Sequence, residues 1–196
     1  VNLPKSQNIC HGYYVEPNLS AFNQPVLPFD QSITSIKADN SVVTQQQTYV
    51  LTGHVVVIQS GRKLYADKAV VTRDPQSGKI LTIDLYNHIR VYTQGRLILG
   101  DFAHLRLSND SGYMNNVTYR FLLPDSANSS NDFTPLGPNH FILNGQTAWG
   151  KASSVHVLDQ NHSILVNPTY TTCQPNTRQW SMVASKIHLD RSKDVG

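Results

Sequence analysis

The chain has 196 residues, of which 39% are hydrophobic and 15% charged, with a formal net charge of +3. That length allows one or two domains with a real core, and so small a charge excludes a nucleic-acid footprint. No stretch approaches the roughly 18 apolar residues of a membrane helix. No leader peptide opens the chain and its first residue is Val1 rather than Met, which points to a processed or trimmed chain.

Residues 1–31 are irregular and punctuated by Pro4, Pro17, Pro25 and Pro28, and they read as an extended N-terminal arm carrying Cys10. Its Tyr13-Tyr14-Val15 is too short to assign. Residues 33–43 open a region of short strands. Residues 48–59 and 62–73 form a hairpin around the turn Ser60-Gly61-Arg62. A turn follows at 74–78, then a short strand at 80–85. Residues 89–93 and 97–107 form a second hairpin, and 108–112 is another turn. Residues 116–123 alternate, with Val117, Tyr119 and Phe121 on one face. The longest break is 124–138, PDSANSSNDFTPLGP, read as a mobile loop with partner binding as the alternative. Residues 140–143 lead through Asn144-Gly145 into a strand at 147–158, and a last clear strand lies at 163–167. No helical period lasts. The count is about eleven strands and no substantial helix.

One stretch repeats. GHVVVIQSGRKLYADKAVV returns as NHIRVYTQGRLILGDFAHL, so that His54 falls on His88, Val57 on Val91, Gly61 on Gly95, Arg62 on Arg96, Asp67 on Asp101 and Ala69 on Ala103. Weaker echoes lie around Asp39, after Trp149 and after Val183. A self-similar unit of short strands implies stacked hairpins that share one core. Val55, Val57, Ile89 and Val91 fall on one face; His54, Val56, His88 and Arg90 fall on the other. Ala66 and Ala69 are three apart rather than two, which flips the face unless a bulge intervenes near Asp67.

The candidates for chemistry are sparse. None of the eight histidines sits in HxH or HExxH, so they read as surface or rim residues. Asp39, Asp67 and Asp101 recur at one repeat position. Paired carboxylates could act on a sugar as acid and base, but a residue used once per unit reads as structural, bonding backbone amides at a bulge. There is no GxSxG. Arg62 and Arg96 follow turn positions and read as solvated hairpin ends, with an anionic ligand at a rim as the alternative. The row Val55, Val57, Leu64, Ile89, Val91, Ile98, Leu105 and Leu107 is either packed core or the wall of a groove. Cys10 and Cys173 are not in a CxxC. They could pair with each other, be unrelated buried thiols, or each pair outside this chain.

The unit G-x-V-x-V-x-x-x-G…L-x-A-D-x-A-x-V resembles the OstA-type repeat of lipopolysaccharide-transport proteins. Thr169-Tyr170-Thr171-Thr172-Cys173-Gln174-Pro175, then Trp180, Ala184 and Ile187-His188-Leu189-Asp190-Arg191, narrows the resemblance to the periplasmic N-terminal domains of the LptD family, over residues 10–191. The resemblance implies an all-β antiparallel jellyroll that opens as a V-shaped trough. It implies an arm over 1–31, the jellyroll over 32–191, and at 192–196 the start of a linker to a C-terminal β-barrel. It implies no enzyme and no cofactor or metal. The trough would receive lipopolysaccharide from an LptA-like bridge protein, paired edge to edge, and pass it to the barrel with its LptE-like lipoprotein, on the periplasmic side of a Gram-negative outer membrane. The groove residues would be Val55, Val57, Leu64, Ala66, Val71, Ile89, Val91, Ile98, Leu105, Leu107, Ile164, Val166, Met182, Ile187 and Leu189. Val57→Glu is then expected to impair lipid transfer while the fold survives. By the same resemblance Cys10 and Cys173 would each pair with a barrel cysteine. The competing reading is a structural β-repeat scaffold that docks other proteins through its edges and binds no lipid.

Overall fold

The computed structural model describes residues 14–17, 33–44, 47–93, 96–122, 133–135, 140–143, 147–159, 161–173, 180–190 and 192. Among these there is no helix. The strands are β1 (Tyr14–Pro17), β2 (Ser35–Lys37), β3 (Asn40–Val43), β4 (Thr48–Gln59), β5 (Arg62–Arg73), β6 (Ile80–Thr93), β7 (Arg96–Arg106) and β8 (Ser111–Leu122). They continue as β9 (Phe133–Pro135), β10 (His140–Leu143), β11 (Thr147–Val157), β12 (His162–Val166), β13 (Thr169–Tyr170), β14 (Met182–Val183) and β15 (Lys186–Asp190).

Ten of them make one antiparallel sheet, ordered β15-β12-β11-β8-β7-β6-β5-β4-β2, with β3 also paired to β4. From β4 to β8 the path is an up-and-down meander in which sequence neighbours pair; β8 then pairs with β11, past β9 and β10. β4 and β5 meet in the expected hairpin, from Gln59↔Arg62 to Thr48↔Thr72. The stretches 80–85 and 89–93 are not two strands but one, β6, which continues through a bulge between Tyr86 and Ile89. Two further corrections come from distant pairing. Tyr14–Pro17, in the stretch read as an irregular arm, pairs antiparallel with β10. Phe133–Pro135, within the stretch read as a loop, pairs with β10 from its other side. Neither segment has a local strand pattern; β10 supplies the partner groups their backbones need. The rest of the arm, the turn at Asn144-Gly145 and most of 124–138 lie outside the described residues.

A line of irregularities crosses the sheet. Register shifts fall between Thr52 and Val55 in the β4–β5 pair and between Tyr65 and Lys68 in the β5–β6 pair. The second is the bulge expected at Asp67. Backbone φ is positive at Gly53, His54, Asn87, His88 and Asn116 along the same line. Each bulge bends its strand and sharpens its twist, so the sheet creases there. The crease also keeps the apolar rows on one side. In β5 the buried positions step from Ala66 to Ala69, in β7 from Gly100 to Ala103 and in β8 from Met114 to Val117. Strict two-residue alternation through that line would turn half the apolar side chains of each of these strands into water.

Candidate functional site

The inner side of the creased sheet is one continuous apolar cluster. Val55, Val57, Leu64, Ala66, Val71, Ile89 and Leu107, all expected on the groove, are buried in it. Val91, Ile98, Leu105, Ile187 and Leu189 are partly buried and pack against it. The cluster therefore runs from β4, near one edge of the sheet, to β15 at the other. Three expected residues fall elsewhere. On β12 it is Leu165 that joins the cluster, so its neighbours Ile164 and Val166 take the alternate positions of the strand. Met182 lies on β14 and is half exposed. The row as read from the sequence also omitted Ile83, Leu85, Ala103, Met114 and Ala152, which are buried in the cluster. A signal for some of them was present: Ile83 and Leu85 share the parity of Ile89 and Val91, and Ala103 is the repeat partner of Ala69.

The cluster is closed. Val57 is 3% exposed and Leu85 0%. A Glu at position 57 would be an unpaired charge in an apolar core, so the expectation that the fold survives Val57→Glu is corrected. The Tyr119 hydroxyl donates to Thr169 O at 2.6 Å. Burial pushes its pKa up to about 12, because the phenolate would be poorly solvated there.

The repeated aspartates line the crease. His54 Nδ1 lies 2.7 Å from the Asp39 carboxylate and His88 Nδ1 lies 2.7 Å from that of Asp67. Asn116 Nδ2 donates to Asp101 at 2.9 Å, and Asn167 Nδ2 donates to Ser153 Oγ at 3.2 Å. The aspartates thus serve the structural role read from their repetition, but through a side chain of the neighbouring strand rather than through backbone amides. His54 and His88 are exposed, as expected. The hydrogen bond that His54 donates to the Asp39 carboxylate, with that carboxylate's charge, holds the His54 pKa above its ordinary value.

Arg62 departs from the solvated hairpin end expected of it. It is half-buried against Gln59, whose Oε1 accepts from its guanidinium at 3.4 Å, and burial lowers its pKa. Arg96 is exposed. Cys173 is fully buried and disulfide-bonded; Cys10, the other cysteine of the chain, lies outside the described residues. Among the described residues no group of His, Cys, Asp and Glu could hold a metal ion. No described helix is long and apolar enough to cross a membrane.

At one edge of the main sheet, β3 leaves Val42 and Val43 exposed, at 64% and 59%. At the other edge, β15 has a paired partner on one side, β12.

Residues 35–118 match the family model described as "LptA/(LptD N-terminal domain) LPS transport protein". The chain is 29% identical over 192 residues to the LPS-assembly protein LptD of Legionella pneumophila (strain Paris), covering 98% of this chain and 20% of that protein. It is 28% identical over 205 residues to LptD of Coxiella burnetii, covering 99% of this chain and 21% of that protein. The chain thus spans about a fifth of the length of these relatives. Among solved structures it matches LptH of Pseudomonas aeruginosa, titled the LptA homologous periplasmic component of the lipopolysaccharide transport device. That match has 13% identity, covers 90% of this chain and 83% of the other, and has a TM-score of 0.31, too low for comparing topology.

Proposed function

On the premise that this chain is an N-terminal domain of the LptD kind, we propose that its inner face shields the acyl chains of lipopolysaccharide on their way to the outer membrane. The observation that carries the reading is the continuity of the apolar cluster from β4 to β15. Each exposed methylene costs about 0.8 kcal/mol, so a twelve-carbon chain left in water costs roughly 10 kcal/mol. A dry strip that runs across the main sheet from β4 to β15 removes that cost at each step. The strip is closed in the free chain. Lipid enters by parting the walls, which exchanges wall-to-wall contact for wall-to-lipid contact, an apolar-for-apolar trade with little net hydrophobic cost. The crease is where the sheet bends, and so is the natural hinge. The role makes and breaks no bond in the lipid.

Exposed edges support a reading of the partners. Among the described residues β3 pairs only with β4 and exposes Val42 and Val43, so an LptA-like bridge protein would add its strand there. The β15 edge would face the barrel and its lipoprotein partner in a longer protein, on the periplasmic side of the outer membrane. There Cys10 and Cys173 would each pair with a barrel cysteine. That pairing requires the disulfide of Cys173 to exchange through thiolate attack, and non-reducing peptide mapping of the longer protein would read it. Residues 32–191 would form the transport unit.

The test is photo-crosslinking to lipopolysaccharide with the probe at Ile98, half-buried on the inner side, and at Leu99, the next residue along β7. The expected result is labelling at 98 and not at 99. Labelling at neither would leave the scaffold that docks through its edges as the better reading.

A further inference from the structure

The inner strip comes to the surface through a row of rings. Tyr119 is 7% exposed and belongs to the buried cluster. Phe121 packs against that cluster, with its ring 6.0 Å from that of Tyr119. The Tyr170 ring lies 6.4 Å from Phe121, and the Trp180 ring 5.9 Å from Tyr170. These separations are those of rings in contact. Trp180 is 41% exposed, so the row runs from dry to wet. Met182 stands beside its wet end. It is 49% exposed and is the strand partner of Tyr170. Residues directly opposite in an antiparallel pair share a face, so Met182 lies on the Tyr170 side. Val183, the next residue of β14, lies on the other.

The backbone under the row is fixed. Trp149 and Thr171 exchange both backbone hydrogen bonds, at 2.7 and 2.9 Å, and the Thr171 hydroxyl donates to Trp180 O at 2.7 Å. The Tyr119 hydroxyl donates to Thr169 O. A Cβ at Gly150 would run into that same carbonyl and into the Tyr119 ring, so β13 lies tight against β8 and β11. The wet end of the row is therefore held in place by the fold, and a passing molecule need only turn side chains aside.

We propose that Phe121, Tyr170, Trp180 and Met182 form the port at which an acyl chain of lipopolysaccharide passes between the inner strip and the surface. The inference rests on the trough reading and adds where the walls begin to part. The occupant follows from continuity: the row joins the same apolar cluster that would hold the acyl chains, and the interior of that cluster, at Val57 and Leu85, is shut off from water. A chain that slides along the rings trades ring-to-ring contact for ring-to-acyl contact, so its methylenes need not return to water at about 0.8 kcal/mol each. Trp carries an apolar ring with one N–H for the wet side, which suits the outermost place. Met is unbranched and repacks readily around a partner of irregular shape.

The test is photo-crosslinking of the 196-residue chain to lipopolysaccharide, with a benzophenone side chain at position 182, 183 or 98. Labelling is expected at 182 and 98 and not at 183. Labelling at 98 without 182, or equal labelling at 182 and 183, would overturn the port and leave the trough standing. No labelling at 98 would overturn the trough and, with it, the port. The rate gives a second readout. Met182→Glu puts a charge where the chain must pass and should slow labelling at 98 by about tenfold, whereas Val183→Glu, on the opposite side, should leave the rate unchanged. Both positions are exposed, so both variants should keep the wild-type midpoint in urea. Equal rates in the two variants would also overturn the proposal.

Discussion

The crease is built twice over, in two chemistries. Toward the N-terminal edge it is pinned by Asp39 with His54 and Asp67 with His88. Further along, the pairs become Asp101 with Asn116 and Ser153 with Asn167. The geometry persists, with a residue at positive φ bonded across to the neighbouring strand, while the charge falls away step by step. What the fold needs at this line is thus a short hydrogen bond beside a bent backbone, not an acid–base pair.

Four substitutions probe this difference, from the largest effect to the smallest. Val57→Glu in β4 places a carboxylate at a site 3% exposed, and is expected to abolish the cooperative unfolding transition in urea, since no partner group compensates the buried charge. Gly150→Ala tests the C-terminal region. A Cβ there would run into Thr169 O and the Tyr119 ring, and a cost of about 1–3 kcal/mol in the same measurement is expected. Tyr119→Phe removes the donor to Thr169 O and should cost about 1 kcal/mol. It should also change the alkaline limb. With the folded pKa raised from 10.0 to about 12, the contribution of Tyr119 is complete below pH 10.0 and lost as pH rises to about 12. The Phe variant should unfold less steeply across that window. His54→Asn is the mildest, because Asn tolerates positive φ. The folded pKa of His54 is raised above 6.5, so its stabilisation is complete below pH 6.5 and fades as pH rises through the folded value. The variant should lose that gain on acidification and keep its midpoint at alkaline pH, as read by thermal unfolding at several pH values. A large loss at all pH values would show that the site needs the imidazole itself, charged or not, rather than any short hydrogen-bonding side chain, and would break the comparison.

Much of the architecture was legible in local pattern. Alternation over 48–59 and 62–73, with a Gly-containing turn, is sufficient for a hairpin. A step of three between Ala66 and Ala69 can only keep both inside if a bulge lies between them, and the register shift is there. Val117 and Tyr119 are buried as their parity requires. Period and turn chemistry are properties of neighbouring residues, so the chain carries them without its partners.

Other features were decided by what the chain meets at a distance. Ile164, Leu165 and Val166 are all apolar, so parity on β12 is silent, and pairing with β11 and β15 selects Leu165 for the inside. Residues 14–17 and 133–135 become strands because β10 lies between them. Arg62 is half-buried although it stands at a hairpin turn. The burial of the inner row is of the same kind: a row of valines and leucines reads equally as core or as groove wall, and only in the folded chain are Val57 and Leu85 shut off from water.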